Sequence, residues 1–186
     1  RDSLMINMVD MLLSNSTAGL IDINLNQSQK LIGGGSFTYI LKDYSIHSFY
    51  AIPKIGQKLE EAKELLLSQI EEIKQGNFED WLVDAIISDI KLNQMKKFES
   101  NMGRANEFVE SFVLDVPWND YKNEIFVLEK ITKQDVIDFV NAKYNSNYVV
   151  VYKRHGERKN MKIVKPPVTP VIVNRKGQSK FLLELL

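Results

Sequence analysis

The stretch "KLIGGGSFTYILKDYSIHSFYAI", residues 30–52, decides how this chain is read. Three glycines after an apolar pair suggest a phosphate-cradling loop. Such a loop ends a strand and opens a helix, with a Lys-Ser/Thr pair behind it. Here Gly33, Gly34 and Gly35 run into "SFTYIL", which is β-branched and aromatic, and no such pair follows. Nucleotide binding is therefore set aside. The glycines are expected to form a bulge, a tight bend, or an exposed strand that another backbone can approach. "QKLI" before them also reads as strand material. In "YSIHSFYAI" Ile46 and Tyr50 share one face while His47 and Phe49 share the other, the period-2 signature of a strand. "LKDYS" lies between the two runs as a hairpin turn, so antiparallel pairing is expected.

Helical periodicity surrounds this β segment. "SLMINMVDMLL" carries Leu4, Met5, Met8, Met11 and Leu12 at helical spacing, and "LIDINL" suits a short second helix. After "IPKIGQ", Leu59, Ala62, Leu66, Ile70 and Ile73 form one apolar stripe, with Glu and Lys on the opposite face. Gly76 fits a left-handed C-terminal cap. "NFEDWLVDAIISDIKLNQMKKFES" predicts another helix with acidic residues in its first turn. A further stripe holds Met102, Ala105, Val109 and Phe112, and the next helix runs from Trp118 to Leu128 behind Pro117. Thr132 and Asp135 have capping-box spacing before "VIDFVNAKY". "NYVVVYK", 147–153, reads as a strand covered on both faces. "KPPVTP" reads as an extended linker. The aromatic residues Trp81, Phe108, Phe112, Trp118 and Phe139 are assigned to the core. The class is α+β, an antiparallel sheet backed by helices.

Composition excludes several functions. Lys+Arg number 24 against 24 Asp+Glu, so the net charge is zero and nucleic acid is not the expected partner. The basic cluster "YKRHGERKNMKIVK", 152–165, is read as the solvated end of a domain. With no cysteine, disulfides, thiol nucleophiles and Cys-type zinc sites are excluded. No apolar run approaches the ~20 residues of a bilayer span, so no membrane is expected. His47 and His155 are far apart in sequence and form no local metal pair. No G-x-S-x-G elbow marks a nucleophile. The acids of 59–74 alternate with lysines and make a solvated face. Because the chain opens on Arg1 and closes on "KFLLELL", a piece of a longer polypeptide is expected.

The order of segments carries a resemblance that no single motif does. "MLLSNSTAGLIDINLNQSQKL" precedes "PKIGQKLEEAKELLLSQIEEIKQGNFEDWLVDAIISDIKL", followed by "ESNMGRANEFVESF", "ITKQDVIDFVNAKY" and "NYVVVYKRHGERKN". This series resembles the second, non-catalytic domain of pitrilysin/insulinase zinc metallopeptidases, the inverzincins, in their large bacterial form. The resemblance implies a mitochondrial-processing-peptidase-like domain over residues 1–155 and a linker over 156–186 leading to a following domain. It implies packing on a catalytic domain of the same polypeptide and a share in the chamber that binds a peptide or protein substrate. A degenerate scaffold without a proteolytic parent is the alternative. The family's zinc sits on H-x-x-E-H in another domain. This chain has no such motif, so no cofactor and no catalytic residue are assigned here. Gly33, Gly34, Gly35 and Ser36 are the candidate substrate-binding residues, although the family's glycine-rich loop precedes the helix that "STAGLID" resembles, whereas these glycines follow it. The family's "SRL…R…Y" pattern stands here as "AGLIDINLNQSQKL", without the Arg or the Tyr. Large bacterial relatives imply a periplasmic location, with the cytoplasm as alternative.

Overall fold

The structure is a computed structural model and describes residues 2–156, 166–169 and 177–185. Two units divide the chain, Arg1–Val151 and Tyr152–Leu186.

In the first unit, α1 (Asp2–Leu13) is the central element. Its five buried positions, Met5, Met8, Val9, Leu12 and Leu13, cover more than one helix face, because the β-hairpin, α3 and α6 all pack on it. The next segment folds back on α1 through one carboxylate. Asp22 Oδ2 accepts from the backbone N–H of Asn15 and of Ser16, each at 2.8 Å. Gly19 makes this possible, since a Cβ there would lie 2.6 Å from the Leu13 carbonyl oxygen. The predicted short helix is present, with its Asp22–Gln27 portion wound as a π-helix. "QKLI" is not a strand. Gln29 takes a positive φ of 54° as the chain leaves the π-helix, and the extended backbone starts at the glycines.

β1 (Gly33–Ile40) and β2 (Ser45–Ile52) form an antiparallel hairpin in the register Gly33 with Ile52 through Ile40 with Ser45. α2 (Leu59–Lys74) buries Ala62, Leu66, Ile70 and Ile73, as its stripe requires. Gly76 ends the turn beyond it at φ +73°. α3 (Trp81–Glu99) buries Leu82, Val83, Ile86 and Ile87 in its first half. α4 (Asn101–Val113) is capped by Ser100, whose side chain accepts from Gly103 N. α5 (Trp118–Leu128) follows Pro117. α6 (Lys133–Lys143) begins on the expected capping box, with Thr132 and Asp135 bonded reciprocally.

Two expectations fail here. The run 147–153 is not a strand: Val149 and Val151 are 91% and 88% exposed, and the β1–β2 pair is the only sheet among the described residues. β-branched content favours extended backbone, but a strand needs a partner ladder, and none is offered to this run. The assignment of Trp81, Phe108 and Phe112 to the core is also wrong, for all three are exposed. α4 instead buries Glu107 and Ser111. Phe139 does pack against the core, and Trp118 is half-buried against Phe108.

In the second unit, α7 (Lys180–Leu185) is a short helix. Most of the expected linker, 157–165 and 170–176, lies outside the described residues. No helix is long and apolar enough to cross a membrane among those described.

Candidate functional site

The glycine segment lies inside β1, so it neither bulges nor bends. Alternation sends Gly34, Ser36 and Thr38 inward and Gly33, Gly35, Phe37 and Tyr39 outward. Each of the two central glycines has its own steric cause. A Cβ on Gly34 would meet Leu31 Cδ1 at 3.2 Å and Ile21 Cγ2 at 3.4 Å, where the preceding helical segment presses on the strand. A Cβ on Gly35 would meet the ring of Tyr50 at 2.9 Å, because that ring lies across the strand from the opposite register position. Asn26 Nδ2 donates to the Gly34 carbonyl at 2.8 Å, tying the π-helix to β1. Asn26 Oδ1 and Ser36 Oγ are buried without a hydrogen-bond partner. Of the four candidate residues, Gly34 and Gly35 are buried, while Gly33 and Ser36 are half-buried.

The outward face of the hairpin is apolar and wet. Phe37, Tyr39, Ile46, Tyr50 and Ile52 are all exposed on it. A face of this kind suits contact with an extended peptide or a neighbouring domain.

The inward face carries a polar chain that the sequence did not reveal. His47 Nε2 lies 3.0 Å from Asp10 Oδ1, and His47 Nδ1 lies 2.6 Å from the Tyr144 hydroxyl. A carboxylate only accepts, so Nε2–H donates to Asp10, and in the neutral ring Nδ1 accepts from the phenol. The side chain of His47 is 5% exposed. Burial, and then the Asp10 carboxylate, push the Tyr144 phenol above its usual range. Period-2 alternation set His47 opposite Ile46 and Tyr50 without saying which face turns inward; its partners come from α1 and from the end of α6, and only folding joins them.

This cluster does not fit zinc. Both ring nitrogens are engaged, and Asp10 is the one carboxylate on the ring. A catalytic zinc site takes three protein ligands and leaves a position for water. Among the described residues no group of three or more His, Asp or Glu is arranged to hold a metal ion. His155 belongs to the second unit.

A second concave feature lies between α1, α3, α4 and α5. The cavity measures about 260 Å³ and is lined by Lys97, Glu107, Glu110, Tyr121 and Glu124 together with apolar and amide side chains. Tyr121 donates toward Glu107 Oε2 and Glu110 Oε2, 3.2 and 3.0 Å away. Burial, followed by the Glu110 hydrogen bond, pushes this phenol above its usual range.

No protein-family model and no curated protein sequence matches the chain. Solved structures do. A protease from Helicobacter pylori superposes with a TM-score of 0.72 at 17% identity over 77% of this chain. The chain spans 35% of that protein's length. A proposed zinc protease from Bordetella pertussis Tohama I superposes at TM-score 0.67 and 14% identity, covering 76% of this chain and 78% of its own. The inactive peptidase domain of a proposed zinc protease from Bordetella parapertussis gives TM-score 0.67 at 15% identity, with 76% of each chain covered. The α+β fold is thus that of peptidase-like domains of zinc proteases.

Proposed function

We propose that this chain is a non-catalytic domain of a zinc metalloendopeptidase of the pitrilysin/insulinase kind, packing on the catalytic domain and shaping its peptide-binding chamber. One observation carries the reading. The fold is shared with an inactive peptidase domain, and among the described residues no group of three or more His, Asp or Glu is placed to hold a metal ion. The zinc of such an enzyme, held by another domain, supplies a Lewis acid and an activated water. This domain contributes surface. Its peptide-facing side is the outward face of the β-hairpin, where Gly33 and Gly35 keep β1 low beneath Ile52 and Tyr50. In that arrangement Gly34 and Ser36 shape the strand from within. The partners are other domains of the same polypeptide and a peptide substrate, in the periplasm.

Two assays test this. The purified chain is expected to leave a quenched fluorescent peptide intact, with or without chelator. The full polypeptide is expected to cleave it in a chelator-sensitive manner, and Tyr50→Ala together with Phe37→Ala should lower its kcat/KM. Chelator-sensitive cleavage by the purified chain overturns the proposal. A full polypeptide that assembles but cleaves nothing makes the domain a scaffold.

A further inference from the structure

α4 is held with its apolar stripe outward by contacts built on its polar side. Glu107 is 4% exposed and meets Lys97 of α3 at 3.1 Å. The buried Ser111 hydroxyl donates to the Val116 carbonyl at 2.7 Å. Where α4 leaves α3, a Cβ on Gly103 would overlap the Lys97 carbonyl, so the junction has no room for a side chain. Turning α4 over to bury its stripe would unseat Glu107 and Ser111 and expose neither to a better partner. The outward seat is built into the fold.

The stripe has the spacing of a helix–helix seam. Met102, Ala105, Val109 and Phe112 recur at three, four and three residues, as side chains that pack into a neighbouring helix do. All four are exposed, Phe112 by 85%. Beside them Phe108 meets Trp118 of α5 with 4.2 Å between ring centres, an aromatic wall along one side of the seam. Aromatic anchors of this kind dominate binding surfaces. An extended partner would be read at every second residue, whereas this spacing reads a helix.

The size of the seam decides between a free and a tethered partner. It is about 15 Å long and about 10 Å wide, on the order of 150–300 Å² of surface. A stable interface between free proteins takes roughly 800 Å² from each side. A second copy diffusing in solution would not hold here, but a domain on the same polypeptide arrives at about millimolar effective concentration. One of the superposed proteases is much longer than this chain, which spans 35% of it, so the fold occurs joined to further polypeptide.

We propose that the α4 stripe is the domain-packing face of the chain, and that its occupant is an amphipathic helix of a neighbouring domain in the same polypeptide. This rests on the reading of the chain as one domain of a larger peptidase. It separates the packing face from the peptide-facing side of the β-hairpin.

Thiol labelling tests the seam, because the chain has no cysteine of its own. Phe112→Cys and Val109→Cys are placed in the purified chain and in the full polypeptide, with Ile55→Cys in the exposed loop before α2 as reference. A maleimide is added and the labelled peptides are read by mass spectrometry. In the purified chain both α4 thiols are expected to label as fast as Ile55→Cys. In the full polypeptide they should label at least about tenfold more slowly, with Ile55→Cys unchanged. Equal rates in the two proteins overturn the proposal, as does a slowing that Ile55→Cys shares equally. Slow labelling in the purified chain also overturns it, by putting a second copy or the chain's own residues on the seam. So does a slowing that appears only after the quenched fluorescent peptide is added. Cleavage is read on the same samples. A full polypeptide that shields α4 but cleaves nothing refutes the peptidase reading alone, and one that cleaves without shielding α4 refutes the seam alone.

Discussion

α1 and α4 are both amphipathic helices of the first unit, yet they are seated in opposite ways. α1 places Met8, Val9, Leu12 and Leu13 where no solvent reaches. α4 is the more strongly amphipathic of the two, and its apolar stripe of Met102, Val109 and Phe112 faces water. The difference teaches that periodicity specifies a helix and its stripe but not what covers the stripe. α1 meets the β-hairpin, α3 and α6, and their apolar side chains close around it. α4 meets chiefly α3 and α5. The second half of α3 offers it Lys97 for Glu107. Helix orientation follows the best available partner, and for α4 that partner is charged.

Three substitutions sharpen or break this contrast. Leu12→Ala removes a side chain from the fully enclosed centre and should cost about 2–5 kcal/mol in urea denaturation followed by far-UV circular dichroism. A loss below about 1 kcal/mol would mean that α1 is not the anchor of the body. Tyr144→Phe removes the hydroxyl that serves His47 Nδ1, leaving a buried acceptor unpaired, and should cost roughly 1–2 kcal/mol. An unchanged midpoint would show that water replaces the phenol at that site. Phe112→Ala, on the exposed stripe of α4, should fall within about 0.5 kcal/mol of the parent. A cost above about 2 kcal/mol would reveal a partner covering α4 in solution and erase the contrast.

What proved legible in the sequence was local. The β-hairpin followed from two alternating runs and a polar turn, and His47 was correctly placed opposite Ile46 and Tyr50. The α2 stripe, the Gly76 cap and the Thr132–Asp135 box depend on residues within a few positions of one another, where backbone geometry leaves few options. The failures were all questions of partnership. Val149 and Val151 have strand-like side chains but no neighbouring ladder, so the run stays unpaired. Phe112 sits on a good stripe that faces water, and Phe108 meets the ring of Trp118 without being buried. The glycines of the candidate site were legible as strand-compatible. Their causes were not, because Ile21, Leu31 and Tyr50 reach them from other segments.

The sequence by itself determined the α+β class, the antiparallel hairpin, the cap beyond α2 and the start of α6, since each rests on periods and caps that span a few residues. It also determined, by having neither cysteine nor a histidine pair, that thiol chemistry and a local zinc motif are absent. Tertiary structure alone decided that Asp10 and Tyr144 occupy both nitrogens of His47, that Tyr50 roofs Gly35, and that α4 hides a glutamate in place of a phenylalanine. Those outcomes turn on which side chains meet across distant segments. Burial and hydrogen bonding are settled by the whole set of available partners, and no short window of sequence contains that set.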